Sequence, residues 1–178
     1  MSEPLYLWLL PPASVQATFA GFIERLAQRF GTAGFIPHIT LAGSLDLPAD
    51  ETVRRTAELA ARLDPVAIRL TGIGATDEYF RCLFMRAEHS AALLATHETA
   101  CAQLARPPEK EFMPHLSLIY GKLSQDQKNH IIDEIGNRLD IAFIADRIGL
   151  CRASGSPAQW QLSHTYSLTG RLDHERPA

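Results

Sequence analysis

The sequence predicts an α+β fold with sheets backed by helices, and three observations carry that prediction. Short apolar runs of strand character are interleaved with longer segments whose apolar residues recur every three or four positions. The order of those segments runs twice through helix, strand, helix, strand, strand. Near the start of each run stands a stretch of the form Phe-x-Pro-His-aliphatic-(Thr/Ser)-Leu.

Residues 4–10, "PLYLWLL", read as a strand closed by Pro11 and Pro12. From about Ser14 to Phe30, Val15, Phe19, Phe22, Ile23, Leu26 and Phe30 keep helical spacing and mark one buried face. "FIPHITLAG" reads as a strand, and "PADETVRRTAELAARLD" as a helix with Pro48 near its start and Asp50 as a candidate cap. "VAIRLTGIGAT" and "YFRCLFMRAE" read as strands close enough to pair as a hairpin. A helix over "HSAALLATHETACAQLA" is followed by the loop "RPPEKEF" and the second motif strand, "FMPHLSLIYG". Ser124 is a candidate cap for the last helix, and "IAFIADRIGLCRA" and "QWQLSHTYSLTG" read as closing strands. The chain therefore reads as two fused, similar halves within one unit spanning residues 1–178, with a tail after about residue 172 expected to be flexible.

Composition narrows the function classes. A formal charge of −3 argues against a broad basic surface gripping long nucleic acid, while leaving room for one small phosphorylated ligand. Cys82, Cys101 and Cys151 form no C-x-x-C pair and no metal-ligand spacing, so neither disulfides nor a structural zinc is expected. The apolar stretch near the N-terminus lacks the basic start of a secretion signal, and nothing approaches the ~18 apolar residues of a membrane span, so the expected location is cytoplasmic.

The chemistry resides in the repeated motif. On a strand, His38 and Thr40 face one way and Ile39 and Leu41 the other, and the same alternation separates His115 and Ser117 from Leu116 and Leu118. If both polar faces meet in one cleft, two imidazoles flank two hydroxyls. That set suits hydrolysis of a phosphodiester without a metal or other cofactor. In-line attack needs a base on the water and an acid on the departing alkoxide, and imidazole serves both near neutrality. The hydroxyls of Thr40 and Ser117 would donate to the non-bridging oxygens. About one His-x-(Ser/Thr) is expected by chance in this composition, and His97-Glu98-Thr99 is such a copy on a helical pattern. Two copies inside the longer shared stretch are a different matter.

Those residues carry a family resemblance. "PHITL" and "PHLSLIYG", 77 residues apart, resemble the paired motifs of the 2H phosphoesterase superfamily, and the tyrosine after the second motif is most similar to its cyclic phosphodiesterase branch. The resemblance implies a bilobal, pseudo-twofold fold in which two antiparallel sheets form a central cleft with helices outside. It also implies metal-independent opening of a small cyclic phosphate, either a 2′,3′-cyclic nucleotide or ADP-ribose 1″,2″-cyclic phosphate. RNA ends are the alternative substrate within the superfamily, and a non-enzymatic nucleotide-binding module is the alternative outside it. Carried over residue by residue, the histidines fall on His38 and His115 as catalytic groups, and the phosphate-binding hydroxyls on Thr40 and Ser117. Tyr120 is the candidate substrate-binding residue, although strand alternation points it away from His115. Which histidine is the base stays open.

The remaining candidates read as structural. His89, His97, His130 and His174 are expected at the surface, and His164 partly buried on an apolar strand face with Trp160, Leu162 and Tyr166. Trp160 and Tyr79 are candidates to stack on a base, with core packing the commoner role. The loop "ARPPEKEF" is a candidate lid in which Arg106 and Lys110 are offset by Glu109 and Glu111.

Overall fold

The computed structural model describes residues 4–136 and 140–170. His174 and the expected tail after residue 172 lie outside the described residues. Eight strands are present among the described residues: β1 (Leu5–Leu10), β2 (Ile39–Leu45), β3 (Val66–Ala75), β4 (Leu83–Ala87), β5 (His115–Ile119), β6 (Asp140–Ala145), β7 (Arg147–Arg152) and β8 (Gln161–Ser167). Four α-helices accompany them among the same residues: α1 (Ala13–Phe30), α2 (Ala49–Arg62), α3 (Ala91–Gln103) and α4 (Gln125–Ile135).

The strands lie in the order β6-β3-β4-β5-β2-β1-β7-β8, with every pairing antiparallel. Two four-stranded sheets thus join into one curled sheet, and the seam is a single residue pair, Ile39 opposite Leu116. Pseudo-twofold symmetry relates β2-β1-β7-β8 to β5-β4-β3-β6. The halves of the sequence are not the lobes in space. β3 and β4, from the first half, pair beside the second motif strand, while β7 and β8 return to pair beside β1. This exchange also corrects one sequence expectation. "IAFIADRIGLCRA" is not one strand but two, broken at Asp146, because its parts belong to opposite ends of the sheet.

Local chemistry explains where the elements stop. α1 ends at Gly31, whose left-handed backbone (φ 65°) costs glycine little. α4 starts with a capping box in which Ser124 and Gln127 each accept from the other's backbone N–H. α2 begins after Pro48, so Asp50 lies within the first turn, where its charge meets the positive end of the helix, and is not the cap. Among the described residues no helix is long and apolar enough to cross a membrane.

Strand alternation then sorts the core. Leu5, Leu7 and Leu9 of β1 face the main core with Ile39, Leu41, Leu116 and Leu118. Helix α1 packs on β5, and α3 on β2 and β3, so this face is covered. The opposite face of β1 carries Tyr6, Trp8 and Leu10, gathered with Cys151, Trp160 and Leu162 into a second, smaller apolar cluster. That second face is where the two lobes enclose a cleft.

One glycine is demanded by close approach. Gly74 pairs with Phe84, and a Cβ on Gly74 would overlap Cε2 of that ring. Phe84 is fully buried, and its ring centroid lies 4.9 Å from that of His115. The Gly74→Ala substitution is expected to cost ~1–3 kcal/mol of stability by overpacking, measured by urea denaturation. A variant as stable as the parent protein would contradict this account of the β3–β4 contact.

Candidate active site

His38 is the last residue before β2 and His115 the first of β5, so each stands where a strand emerges from a loop rather than within it. The loops have the same construction. Nδ1 of His38 lies 2.6 Å from the carbonyl oxygen of Ile36, and Nδ1 of His115 lies 2.8 Å from that of Met113. A carbonyl only accepts, so both Nδ1 atoms carry the proton, and Nε2 is left for a ligand. In the neutral ring that Nε2 is a base, and in the protonated ring it is an acid.

The antiparallel seam brings the four motif residues together. Ile39 opposite Leu116 places His38 across from Ser117 and Thr40 across from His115 when the register is extended by one residue each way. His38, Thr40, His115, Ser117 and Tyr120 all line one cleft of about 570 Å³. Tyr120 reaches it despite its parity because β5 carries a bulge. Leu83 pairs with Ile119 but Phe84 with Ser117, so Leu118 is an extra residue that shifts the alternation of the residues after it. Tyr120 is buried, stacks on Phe35 at 3.8 Å and hydrogen-bonds Ser117. Burial, partly offset by that bond, pushes its phenol well above the ordinary range.

Both imidazoles are held neutral. Burial lowers His38 to about 4, opposed by its bond to Ile36 and reinforced by the neighbouring His115. Its ring lies flat on Trp8, with centroids 3.6 Å apart and 9° between planes. His115 is lowered for the same leading reason, burial, with Arg81 adding to the shift and Glu109 and Glu78 opposing it. Charges at the rim are balanced: Arg81 and Glu109 both line the cleft, and Arg81 is paired with Glu78.

Aromatic side chains form much of the remaining wall. Trp160 lies 5.7 Å from both Phe80 and Tyr120 and 6.1 Å from Trp8. Phe80 is 53% exposed at the mouth, on the connection between β3 and β4. Of the two stacking candidates Trp160 lines the cleft, whereas Tyr79 lies outside that lining and packs edge-on against Phe80. Tyr6 and Trp8 went unremarked in the sequence, although strand alternation over residues 4–10 already sets both on one face. Phe80 and Arg81 carried no comparable signal.

Other expectations need correction. His97 is buried, not superficial, because α3 turns it onto β2, where its Nδ1 lies 2.7 Å from the Leu41 carbonyl. His164 is exposed and does not share a face with Trp160 and Leu162, because edge strand β8 carries a bulge: Cys151 pairs with Leu162 but Leu150 with His164, so Ser163 is an extra residue that shifts the alternation. His89 and His130 are exposed as expected. In the loop after α3, Arg106 donates to the carbonyl of Ser44 and Lys110 is exposed, while Glu109 is the charged residue that lines the cleft. Among the described residues, no group of three or more His, Cys, Asp and Glu side chains could hold a metal ion.

Comparison with known proteins accounts for this arrangement. The model of the 2′-5′ RNA ligase superfamily matches residues 11–157. A cyclic phosphodiesterase of Arabidopsis thaliana is 25% identical over 150 residues, covering 82% of this chain and 83% of that protein. Among solved structures, ligand-free LigT of E. coli superposes with a TM-score of 0.62 at 15% identity, covering 94% of this chain and 98% of LigT. A protein of Thermus thermophilus does so with a TM-score of 0.61 at 19% identity, covering 93% and 97%. The match spans more than three quarters of the sequence, and the chain belongs to the 2′-5′ RNA ligase superfamily, the 2H phosphoesterases.

Proposed function

We propose that the protein hydrolyses a small cyclic phosphodiester to a phosphomonoester, with His38 and His115 as the two proton-transfer groups. The observation that carries this reading is that both histidines spend Nδ1 on a loop carbonyl and line one cleft beside two hydroxyls. One imidazole takes a proton from water as its oxygen bonds to phosphorus. The other gives a proton to the ring oxygen as its P–O bond breaks, leaving one ester and a free alcohol. Thr40 and Ser117 donate to the non-bridging oxygens, where charge accumulates. No step calls on a metal, and turnover in excess EDTA is expected to match turnover without it.

A cyclic 2′,3′-nucleotide and ADP-ribose 1″,2″-cyclic phosphate are the substrates of choice. Trp160 and Phe80 offer faces for a base, while Glu109 on the wall and the net charge of −3 disfavour a long polyanion. The LigT fold has been solved with 3′-AMP, which is consistent with a nucleotide-sized occupant of such a cleft. The RNA-end reading keeps the same chemistry and rests on the superfamily description.

Alanine at His38 or His115 is expected to lower kcat ~10²–10⁴-fold with the circular dichroism spectrum unchanged. Near-normal turnover by either folded variant would remove the reading. The lowered imidazoles also predict a pH profile. Free enzyme holds both below the ordinary value of 6.5, His38 at about 4, so the kcat/KM optimum should lie on the acid side of 6.5. A bound phosphate anion favours the protonated rings, so the kcat optimum should lie at higher pH than that of kcat/KM. Profiles that coincide, or a kcat/KM optimum above about pH 7, would contradict this electrostatic account. Trp160→Ala should raise KM for a nucleotide substrate ~10-fold, the loss of about one stacked base, with kcat nearly unchanged. Equal KM values in the two proteins would take Trp160 out of base binding.

A further inference from the structure

We propose that His97 is a positioning residue for His115, acting through Phe112, the phenylalanine that opens the second motif. The proposal rests on the reading that His115 transfers a proton, and it explains why the motifs begin with phenylalanine. His97 is 2% exposed on α3 and anchored to the Leu41 carbonyl of β2. Its ring lies on Phe112 with centroids 3.8 Å apart and 3° between planes. Phe112 precedes Met113, whose carbonyl accepts the Nδ1 proton of His115 at 2.8 Å. Two contacts, joined by one peptide link, therefore run in series from a core helix to the imidazole.

The first motif shows the same device with a different clamp. Phe35 is stacked on Tyr120 at 3.8 Å and 18°, and the next residue, Ile36, supplies the carbonyl that holds His38. In each motif an aromatic ring pins the phenylalanine, the following carbonyl fixes the tautomer, and a proline stiffens the link to the histidine. Tyr120 lies five residues after His115, and the residue five after His38 is Gly43, which has no ring to offer. The Arg106 guanidinium occupies that space instead, 3.2 Å from where a Cβ on Gly43 would be. His97 supplies the missing ring from α3.

Histidine at 97 adds what phenylalanine would lack. Its bond to Leu41, the neighbour of Thr40, ties the clamp to the first motif strand, so one side chain holds parts of both motifs in register. Phe112 is only half-buried, between the main core and the cleft wall on a loop with three prolines, and the stack on His97 adds to its restraint. Without that restraint the Met113 carbonyl drifts, and a neutral His115 is free to carry its proton on Nε2, where it cannot act as a base.

The test uses Phe112→Leu, His97→Leu and His97→Phe in the full chain, with two readouts. Nitrogen-15 NMR of the imidazoles reports the tautomers, and steady-state kinetics on 2′,3′-cyclic AMP separates kcat from KM. In Phe112→Leu and His97→Leu, His115 should become a mixture of tautomers while His38 keeps its proton on Nδ1. Their kcat should fall ~10–10²-fold with KM changed less than about threefold, the cost of a misplaced reacting group. His97→Phe, which keeps the ring, should recover most of the lost kcat. An unchanged His115 tautomer in folded Phe112→Leu overturns the proposal, even if thermal stability drops, since a purely structural role moves stability alone. If the parent protein turns over no cyclic phosphate, the NMR arm still decides the positioning claim, and the kinetic failure then falls on the proposed reaction.

Discussion

Everything at the centre of this molecule hangs on one antiparallel pair, Ile39 opposite Leu116. Among the described residues, the two four-stranded sheets pair there and nowhere else. Both residues are buried against the helix-covered core, so the sheet pleat sends their neighbours to the other side. The seam thereby sets each histidine across from the hydroxyl of the opposite motif, and the bulge at Leu118 then swings Tyr120 onto the same face. A sheet paired along the whole length of β2 and β5 would close the space between the lobes. A seam of one pair fixes relative position while the strands splay to leave a cleft of about 570 Å³.

Burial dominates the electrostatics of that cleft. The imidazoles are pulled from water by Trp8, Phe84 and the loops that carry them, and loss of hydration outweighs their favourable bonds to carbonyls. The site consequently stores no positive imidazole charge to attract an anion from afar. Under the proposed reaction, affinity for phosphate instead arises on contact, when the anion itself favours protonation of one ring. Such a site suits a small ligand with one or few charges, and the single Arg81 at the rim, already paired with Glu78, does not alter that balance.

The part of this arrangement legible in the sequence was the part written in repetition. Phe-x-Pro-His-aliphatic-(Thr/Ser)-Leu occurs twice, and its period of two told which residues share a face. Helix periods and the Ser124 cap were equally local, and they read correctly. What failed were properties created by distant segments. His97 sits in a sequence indistinguishable from a surface helix, and only the approach of β2 and Phe112 buries it. His164 sits in a sequence of clean alternation, and only the bulge at Ser163, set by pairing with β7, takes it off the face of Leu162. The exchange of strands between lobes and the place of Phe80 at the cleft mouth arise from chain crossings that leave no trace in composition or spacing.

The most direct test of the central claim is to follow phosphorus during turnover. Purified protein is incubated with 2′,3′-cyclic AMP, and in parallel with ADP-ribose 1″,2″-cyclic phosphate, in water enriched in oxygen-18, and phosphorus-31 NMR is recorded. A phosphomonoester is expected from at least one of them, formed as a single positional isomer carrying one heavy oxygen on phosphorus. Absence of turnover of both, or a product whose heavy oxygen lies on the sugar carbon, would contradict the proposed hydrolysis.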